Sequence, residues 1–334
     1  MLVNIANYQA ESADVAIVMI NDLYDDNIVK MISPKVKFIN IGRPVGSKNP
    51  WWFLKFNMKL LQLSADIYHV HLSPIFKVLF PNFKKRTVFT MHHIIIGDEW
   101  KTVSKINHIC AISQAVHDNL LTYNINSVVV ENGIVTKDFY TNSRNSSSTV
   151  NIVQVGRLDH SLKGQDLLIE ACYRLRCRGV SNFTLDIIGD GDSFEFLNSL
   201  ILKYNCGDII HLTGVKSQKF LRSHLGNYDL FVQPSRLEGF GLTIAEAMAA
   251  KVPVLVSNHE GPMEIIESGN YGFFFENDNI ESLVNILERL IANRQLREQF
   301  VEDAYKHVCE EYDVRKTAEN YIAQYENISA QMSL

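Results

Sequence analysis

Two carboxylates eight positions apart, Glu238 and Glu246, bracket a glycine turn in the stretch Pro234-Ser235-Arg236-Leu237-Glu238-Gly239-Phe240-Gly241-Leu242-Thr243-Ile244-Ala245-Glu246-Ala247. Asp229 to Val232 is a short apolar run that reads as a buried strand, and the Ala-rich run from Leu242 to Ala250 reads as a helix. A strand, a glycine turn and a helix N-terminus together make an anion site. The Leu242 and Thr243 amides and the positive end of the helix dipole would face a phosphate, with Gly239 and Gly241 allowing close approach. Two carboxylates beside a phosphate make sense if they bind hydroxyls of the same ligand, which suggests a phosphate joined to a sugar. The plainer reading is a surface turn with solvated glutamates.

A second constellation adds weight to the first. The β-rich run Val150 to Val155 ends in Gly156-Arg157-Leu158, and Lys163-Gly164 precedes an amphipathic helix carrying Leu167, Leu168, Ile169 and Ala171. The planar donor fork of Arg157 and the mobile charge of Lys163 suit a diphosphate; as isolated residues they read as solvated loop charges. The third cluster is imidazole. His69 and His71 alternate at the end of the strand Asp66 to Leu72, so they point the same way, and His92 and His93 close the next strand. Ligands of doubly wound sheets gather beyond the carboxyl ends of the strands, where all four histidines lie. A metal site built on two of them lacks a third ligand at a telling spacing.

The order Gly156-Arg157-Leu158, Lys163-Gly164, Ile169-Glu170-Ala171, Pro234-Ser235, Glu238-Gly239-Phe240-Gly241, Glu246-Ala247-Met248-Ala249, Pro253-Val254 resembles the group 1 glycosyltransferases, retaining glycosyltransferase family 4. The likeness runs through the C-terminal half with specific motifs and through the N-terminal half with weaker ones. It implies an α/β chain with a GT-B fold, two Rossmann-like domains facing across a cleft. It implies a hexosyltransferase-type enzyme that moves a sugar, expected from a UDP-sugar, to a saccharide or polyprenyl-linked acceptor in surface glycan synthesis. By that carry-over Arg157 and Lys163 hold the diphosphate, Leu242 and Thr243 a phosphate, Glu246 the ribose hydroxyls and Glu238 the donor sugar. Thr90-Met91-His92 resembles the family's strand-end T-x-H, which makes His92 the leading acceptor-side residue, with His71 and His93 beside it. The resemblance also implies retention of anomeric configuration by same-face attack within an ion pair. Asp190-Gly191-Asp192 matches the D-x-D by which another glycosyltransferase fold holds a metal, but after the strand Thr184 to Ile188 it reads as a tight turn. Neither a metal nor a cofactor is expected.

Composition bounds these readings. The chain has 334 residues with 46% hydrophobic content, enough for two domains each with its own core. Charge divides unevenly, +4 over residues 1–150 and −9 over 151–334. Within the basic half, residues 50–59 and 76–86 mix aromatics with Lys and Arg. That mixture suits a peripheral contact with an anionic membrane; the competing reading buries the aromatics in the core. The net charge of −5 and the lack of a recognition motif argue against nucleic acid. No apolar run of membrane-spanning length and no secretory leader are apparent, so a cytoplasmic location, peripheral on the inner face of the membrane, is expected. Five cysteines without C-x-x-C spacing read as buried free thiols.

Strands alternate with helical patterns along the chain, the signature of βαβ units and a mostly parallel sheet. Strands are expected at Asp14–Ile20, Val36–Ile41, Asp66–Leu72, Arg86–Met91, His108–Ile112 and Ser127–Glu131, then at Val150–Val155, Thr184–Ile188, Ile209–Leu212, Asp229–Val232, Pro253–Ser257 and Gly272–Phe275. The polar segment 141–149 reads as a linker. It would separate a domain of residues 1–140 from a donor-binding domain of 150–312, with 313–334 a last helix that, by the resemblance, returns to the first domain. One departure stands at the start. Family members open with an apolar strand and a Gly-rich loop, whereas Met1 to Gln9 here reads as the following helix. The first strand is expected to be missing from the middle of its sheet, for which a start codon assigned too far downstream is the favoured explanation. The alternative function is a catalytically weak, glycosyltransferase-like nucleotide-binding or accessory protein; a nucleotide-sugar epimerase is a third reading that the motifs disfavour. Lys251, where the family more often has Gly, is a further departure.

Overall fold

Short, largely apolar runs of two to seven residues between helical segments pair in parallel, in keeping with their near-continuous hydrophobicity. The computed structural model describes residues 1–140 and 148–332; most of the expected linker, 141–147, lies outside them. The chain divides into two compact units, Met1–Gly133 with Asp313 onward, and Ile134–Tyr312. The second unit therefore begins at Ile134, ahead of the expected boundary.

The strands of the first unit are β1 (Ala16–Asn21), β2 (Lys37–Arg43), β3 (Tyr68–Val70), β4 (Thr87–Met91), β5 (His108–Ala111) and β6 (Val128–Val129). They form two sheets, β1-β2 and β3-β4-β5-β6, with all pairs parallel. Residues 2–9 are helical as expected (Leu2–Gln9), and that helix packs on the last one, Val314–Met332. Gly133 shows why the last helix belongs here. A Cβ on Gly133 would lie 2.5 Å from Thr317 Oγ1 and 2.7 Å from the Val314 Cα, and Thr317 Oγ1 donates to the Glu131 carbonyl at 2.9 Å.

The second unit holds β7 (Val150–Val155), β8 (Phe183–Ile188), β9 (Ile210–Gly214), β10 (Leu230–Gln233), β11 (Val254–Ser257) and β12 (Phe273–Phe275) in one parallel sheet, ordered β12-β11-β10-β7-β8-β9. One face carries Val150, Ile152, Leu185, Ile187, Leu230, Val232 and Leu255. Against it lie Leu168 and Leu175 of the Gln165–Cys177 helix and Leu283 and Leu287 of the Ile280–Ala292 helix, all buried. Each fully buried Leu or Ile contributes roughly 1.5–3 kcal/mol of transfer free energy, so this layer dominates the unit's stability.

Three expectations need amendment. Phe76 and Phe83 are buried, so the aromatics of the 76–86 segment belong to the core, whereas Trp51, Met58 and Leu61 of the Trp51–Leu63 helix stay exposed. All five cysteines are free, but Cys177 is exposed rather than buried. Lys251 has φ +58°, the left-handed region that favours glycine, which accounts for the family's Gly; its ammonium pairs with Glu302 at 2.7 Å.

Candidate functional site

The loop after β7 and the turn after β10 meet in the second unit. A short helical turn, His160–Lys163, ends at Gly164, from which the Gln165–Cys177 helix starts. The Arg236 amide donates to the Leu162 carbonyl at 2.8 Å. Its guanidinium bonds the His160 carbonyl and Asp166, both at 2.7 Å, clamping the two loops together. Lys163 Nζ lies 2.5 Å from Glu238 Oε2, with both side chains largely buried, so this ion pair is worth more than an exposed one. The Gln233 amide donates to the same carboxylate at 3.3 Å and to Ser235 Oγ at 2.9 Å. Glu260 accepts from the Glu238 backbone N–H at 3.0 Å, fixing the turn from the far side.

The structure therefore brings Lys163 and Glu238, predicted from separate motifs, into direct contact. Arg157 stands on the same loop: its carbonyl accepts from Gln165 Nε2 at 2.9 Å, while its guanidinium reaches only the exposed Asp192, at 3.2 Å. Asp190 accepts from the Gly191 amide at 2.8 Å, so the D-x-D segment is a turn. The Leu242–Ala249 helix opens on Gly241, with no side chain capping it. Its first helical bond runs from the Ile244 N–H to the Gly241 carbonyl at 2.9 Å, leaving the Leu242 and Thr243 amides ahead of the ladder. Glu246, one turn on, has its carboxyl pushed up to about 7 by burial, an effect that the positive charge of Arg222 opposes.

In the first unit the imidazoles cluster at the ends of β3 and β4. His69 Nδ1 lies 2.6 Å from the Tyr325 hydroxyl and its Nε2 2.7 Å from Thr90 Oγ1, which in turn lies 2.9 Å from the Tyr321 hydroxyl. His71 Nδ1 and His92 Nε2 are 3.0 Å apart. Burial pushes His69 well below its ordinary range, His71 down to about 3 and His92 down to about 4, with neighbouring imidazoles adding to the effect. His93 stands apart from the pair, bonded to Glu99 at 2.7 Å. Among the described residues no group of three or more His, Cys, Asp or Glu is placed to hold a metal, and no helix is long and apolar enough to cross a membrane.

Sequence reasoning overlooked Gln233, Arg236, Glu260, Tyr321 and Tyr325. The tyrosines stand four residues apart on one helix face, but their partners lie in distant elements. Gln233 lies two and five residues from its partners Ser235 and Glu238, whereas the site partners of Arg236 and Glu260 come from segments 22 to 76 residues away.

The family model for glycosyl transferases group 1 matches residues 138–307, just over half of the chain. The amylovoran biosynthesis glycosyltransferase AmsK of Erwinia amylovora is 34% identical over 145 residues, 42% of this chain and 35% of that protein. The alpha-D-kanosaminyltransferase of Streptomyces kanamyceticus is 29% identical over 177 residues, 53% of this chain and 45% of that one. The chain thus spans about a third to a half of the length of the curated relatives it matches. Among solved structures, Anabaena HepE in complex with UDP and glucose superposes with a TM-score of 0.83 at 19% identity, covering 98% of this chain and 95% of that one. The motifs that meet around Lys163 and Glu238 all fall inside the matched segment, and on that match, in a GT-B fold, the chain belongs to the group 1 glycosyltransferases.

Proposed function

We propose that the chain transfers a hexosyl group from a nucleoside diphosphate sugar, a UDP-sugar, to a saccharide or lipid-linked acceptor with retention, in surface glycan synthesis. The observation that carries this reading is the Lys163–Glu238 pair on the turn that leads into the uncapped Leu242–Ala249 helix. It places a cation, a carboxylate and free amides around one turn. A diphosphate sugar satisfies all three at once. Its phosphates take Lys163, Arg157 and the Leu242 and Thr243 amides, and its sugar hydroxyls take Glu238, so binding exchanges the resident ion pair for two ligand contacts. A Glu246 carboxyl that titrates near neutrality can both accept from and donate to ribose hydroxyls.

Breaking the bond between sugar and nucleotide leaves negative charge on the diphosphate and positive charge on the anomeric carbon. The two amides are held by the backbone of the turn and need no reorganisation, and Lys163, released from Glu238, and Arg157, drawn from the exposed Asp192, add their charge to the departing diphosphate. The acceptor hydroxyl attacks from the same face and loses its proton, a step assigned to the first unit's His92, with His71 and His93 in support. HepE's complex with UDP and glucose supports a uridine donor by likeness. Trp51, Met58 and Leu61, exposed beside Lys55 and Lys59, form the face on which the first unit would meet an anionic membrane.

A second reading, a glycosyltransferase-like nucleotide-binding or accessory protein, is favoured by the split sheet of the first unit. Calorimetric titration of the full chain with UDP, GDP and ADP, followed by turnover of the matching diphosphate sugar, separates the two. Saturable binding of one nucleotide, weakened at least about tenfold in a folded Arg157→Ala, with turnover, supports transfer. Binding without turnover favours the accessory reading, and a folded chain that binds none of the three sinks both.

A further inference from the structure

His71 and His92 share one hydrogen bond, Nδ1 of the first to Nε2 of the second, at 3.0 Å. Both rings are neutral near pH 7, and a neutral imidazole carries one N–H. The pair therefore owns two such hydrogens, and one lies in the shared bond. If His71 Nδ1 carries it, His71 Nε2 is bare and His92 holds its hydrogen on Nδ1. If His92 Nε2 carries it, His92 Nδ1 is bare and His71 holds its hydrogen on Nε2. In either state the two outer nitrogens are one donor and one acceptor, and moving the shared hydrogen exchanges their roles.

The surroundings keep the pair in this arrangement. Both nitrogens of His69 are engaged, with Tyr325 and Thr90, so that ring cannot enter the exchange. Its centroid lies 4.2 Å from that of His71, and the His71 and His92 centroids are 5.2 Å apart at 34° between planes. Tyr321, bonded to Thr90, packs beside His69 with ring centroids 4.9 Å apart and planes tilted by 56°. His93 is occupied by Glu99.

Resting on the transfer reading above, we propose that His71 and His92 act as one proton-relay unit for the acceptor, with His69 as its positioning residue. As the acceptor oxygen bonds the anomeric carbon and the carbon–oxygen bond to the diphosphate breaks, the leaving electron pair stays on the diphosphate. The hydroxyl proton passes to His92 Nδ1. The hydrogen on His92 Nε2 crosses to His71 Nδ1, and the one on His71 Nε2 leaves to water. The pair ends with two hydrogens, as it began, and proton exchange with solvent in the reverse direction restores the first state.

The relay makes an unusual demand on the resting protein: both rings must carry their hydrogen on the same-named nitrogen, both on Nδ1 or both on Nε2, in equal proportions. Long-range proton–nitrogen spectra of the full chain, labelled in its histidine rings and assigned with His71→Asn and His92→Asn, read this directly at pH 7. One ring in the Nδ1 form beside the other in the Nε2 form, or either ring protonated, overturns the proposal. Turnover supplies the second arm, using UDP-glucose, GDP-mannose or ADP-glucose according to which nucleotide binds. Each single variant should lose about 100-fold in kcat with nucleotide affinity unchanged, and the double variant should be no slower than either single. Multiplying losses would mean two independent residues and would overturn the relay, as would single variants that keep full turnover. If no nucleotide binds, the transfer reading itself falls and the relay's role goes with it; nucleotide binding with mismatched rings removes the relay alone.

Discussion

β7 and β1 are the first strands described in their units, and they end in opposite circumstances. β7 pairs with β8 on one side and β10 on the other, in the middle of a six-stranded sheet, and five of its six residues are buried. β1 pairs with β2 alone, and none of its six residues is buried although Ala16-Ile17-Val18-Met19-Ile20 is as apolar as any strand in the chain. Numbered within its own unit, the second sheet runs 3-2-1-4-5-6. Laid beside that order, the first unit's strands form two blocks, β2-β1 and β3-β4-β5-β6, with no strand pairing the facing edges of β1 and β3 among the described residues. Apolar sequence sets how much surface a strand can bury, but neighbours decide how much it does bury. The clamped loops around Lys163 rest on the continuous sheet, while the histidines rest on β3 and β4, at the edge of the interrupted one.

Glycine substitutions give the largest contrast. Gly164 and Gly42 share left-handed backbone, φ +65° and +73°. A Cβ on Gly164 would stand 1.9 Å from the Pro234 carbonyl oxygen, whereas a Cβ on Gly42 meets nothing within 4 Å. Gly42→Ala should cost only the left-handed strain, about 1–2 kcal/mol. Gly164→Ala adds a backbone clash that separates the two site loops, so it should exceed about 4 kcal/mol and abolish nucleotide binding. Urea unfolding of each variant, read with probes in its own unit, measures both, and equal costs would break the contrast.

Core truncation comes next in size. Leu185 of β8 is fully buried between sheet and helices, so Leu185→Ala should cost about 2–5 kcal/mol. Val18 of β1 is only partly buried, and Val18→Ala should cost no more than about 1 kcal/mol. The same unfolding experiment decides. A Val18→Ala cost in the range of Leu185→Ala would mean that β1 is covered after all.

Much of this was legible in the residues. Every expected strand exists, with ends displaced by no more than three residues, because most are short runs rich in β-branched or aromatic residues and closed by polar or turn-forming ones. That β1 pairs on one side alone among the described residues agrees with the helical reading of residues 2–9, which form the helix Leu2–Gln9. The ion pair between Lys163 and Glu238 was not legible, because two residues 75 positions apart meet where β7 pairs with β10 and Arg236 clamps the loops that follow them. The aromatics of 76–86 misled in part: their spacing fits an interfacial stripe and a buried face equally well, and contact with neighbouring elements made Phe76 and Phe83 core. Tyr325 was hidden for a similar reason, since its partners His69 and Gln9 come from elements some 250 and more residues earlier.

Acidity should move the two units in opposite directions, and by the smallest amount. Burial holds His71 near 3 and His92 near 4, below the ordinary 6.5, so between those values the unfolded chain binds more protons than the folded one. Their contribution is therefore complete above pH 6.5 and is lost as pH falls toward 4. Glu246 has the reverse sign. Its folded value near 7 lies above the ordinary 4.5, so the folded chain binds the extra proton, and its contribution is complete below pH 4.5 and is lost as pH rises through 7. Between pH 5 and 6.5 the first unit should gain protection as the second loses it, by roughly 1 kcal/mol each once partial exposure is allowed for. Amide exchange in Thr87–Met91 and in Leu242–Ala249, corrected for intrinsic rates, reports the two units separately. Replacing His71 and His92 together by Asn should flatten the first slope and leave the second, and Glu246→Gln should do the converse. If Glu246→Gln leaves the second slope unchanged, some other group titrates in that unit, and Glu246 is ionised at neutral pH, able only to accept from a ribose hydroxyl.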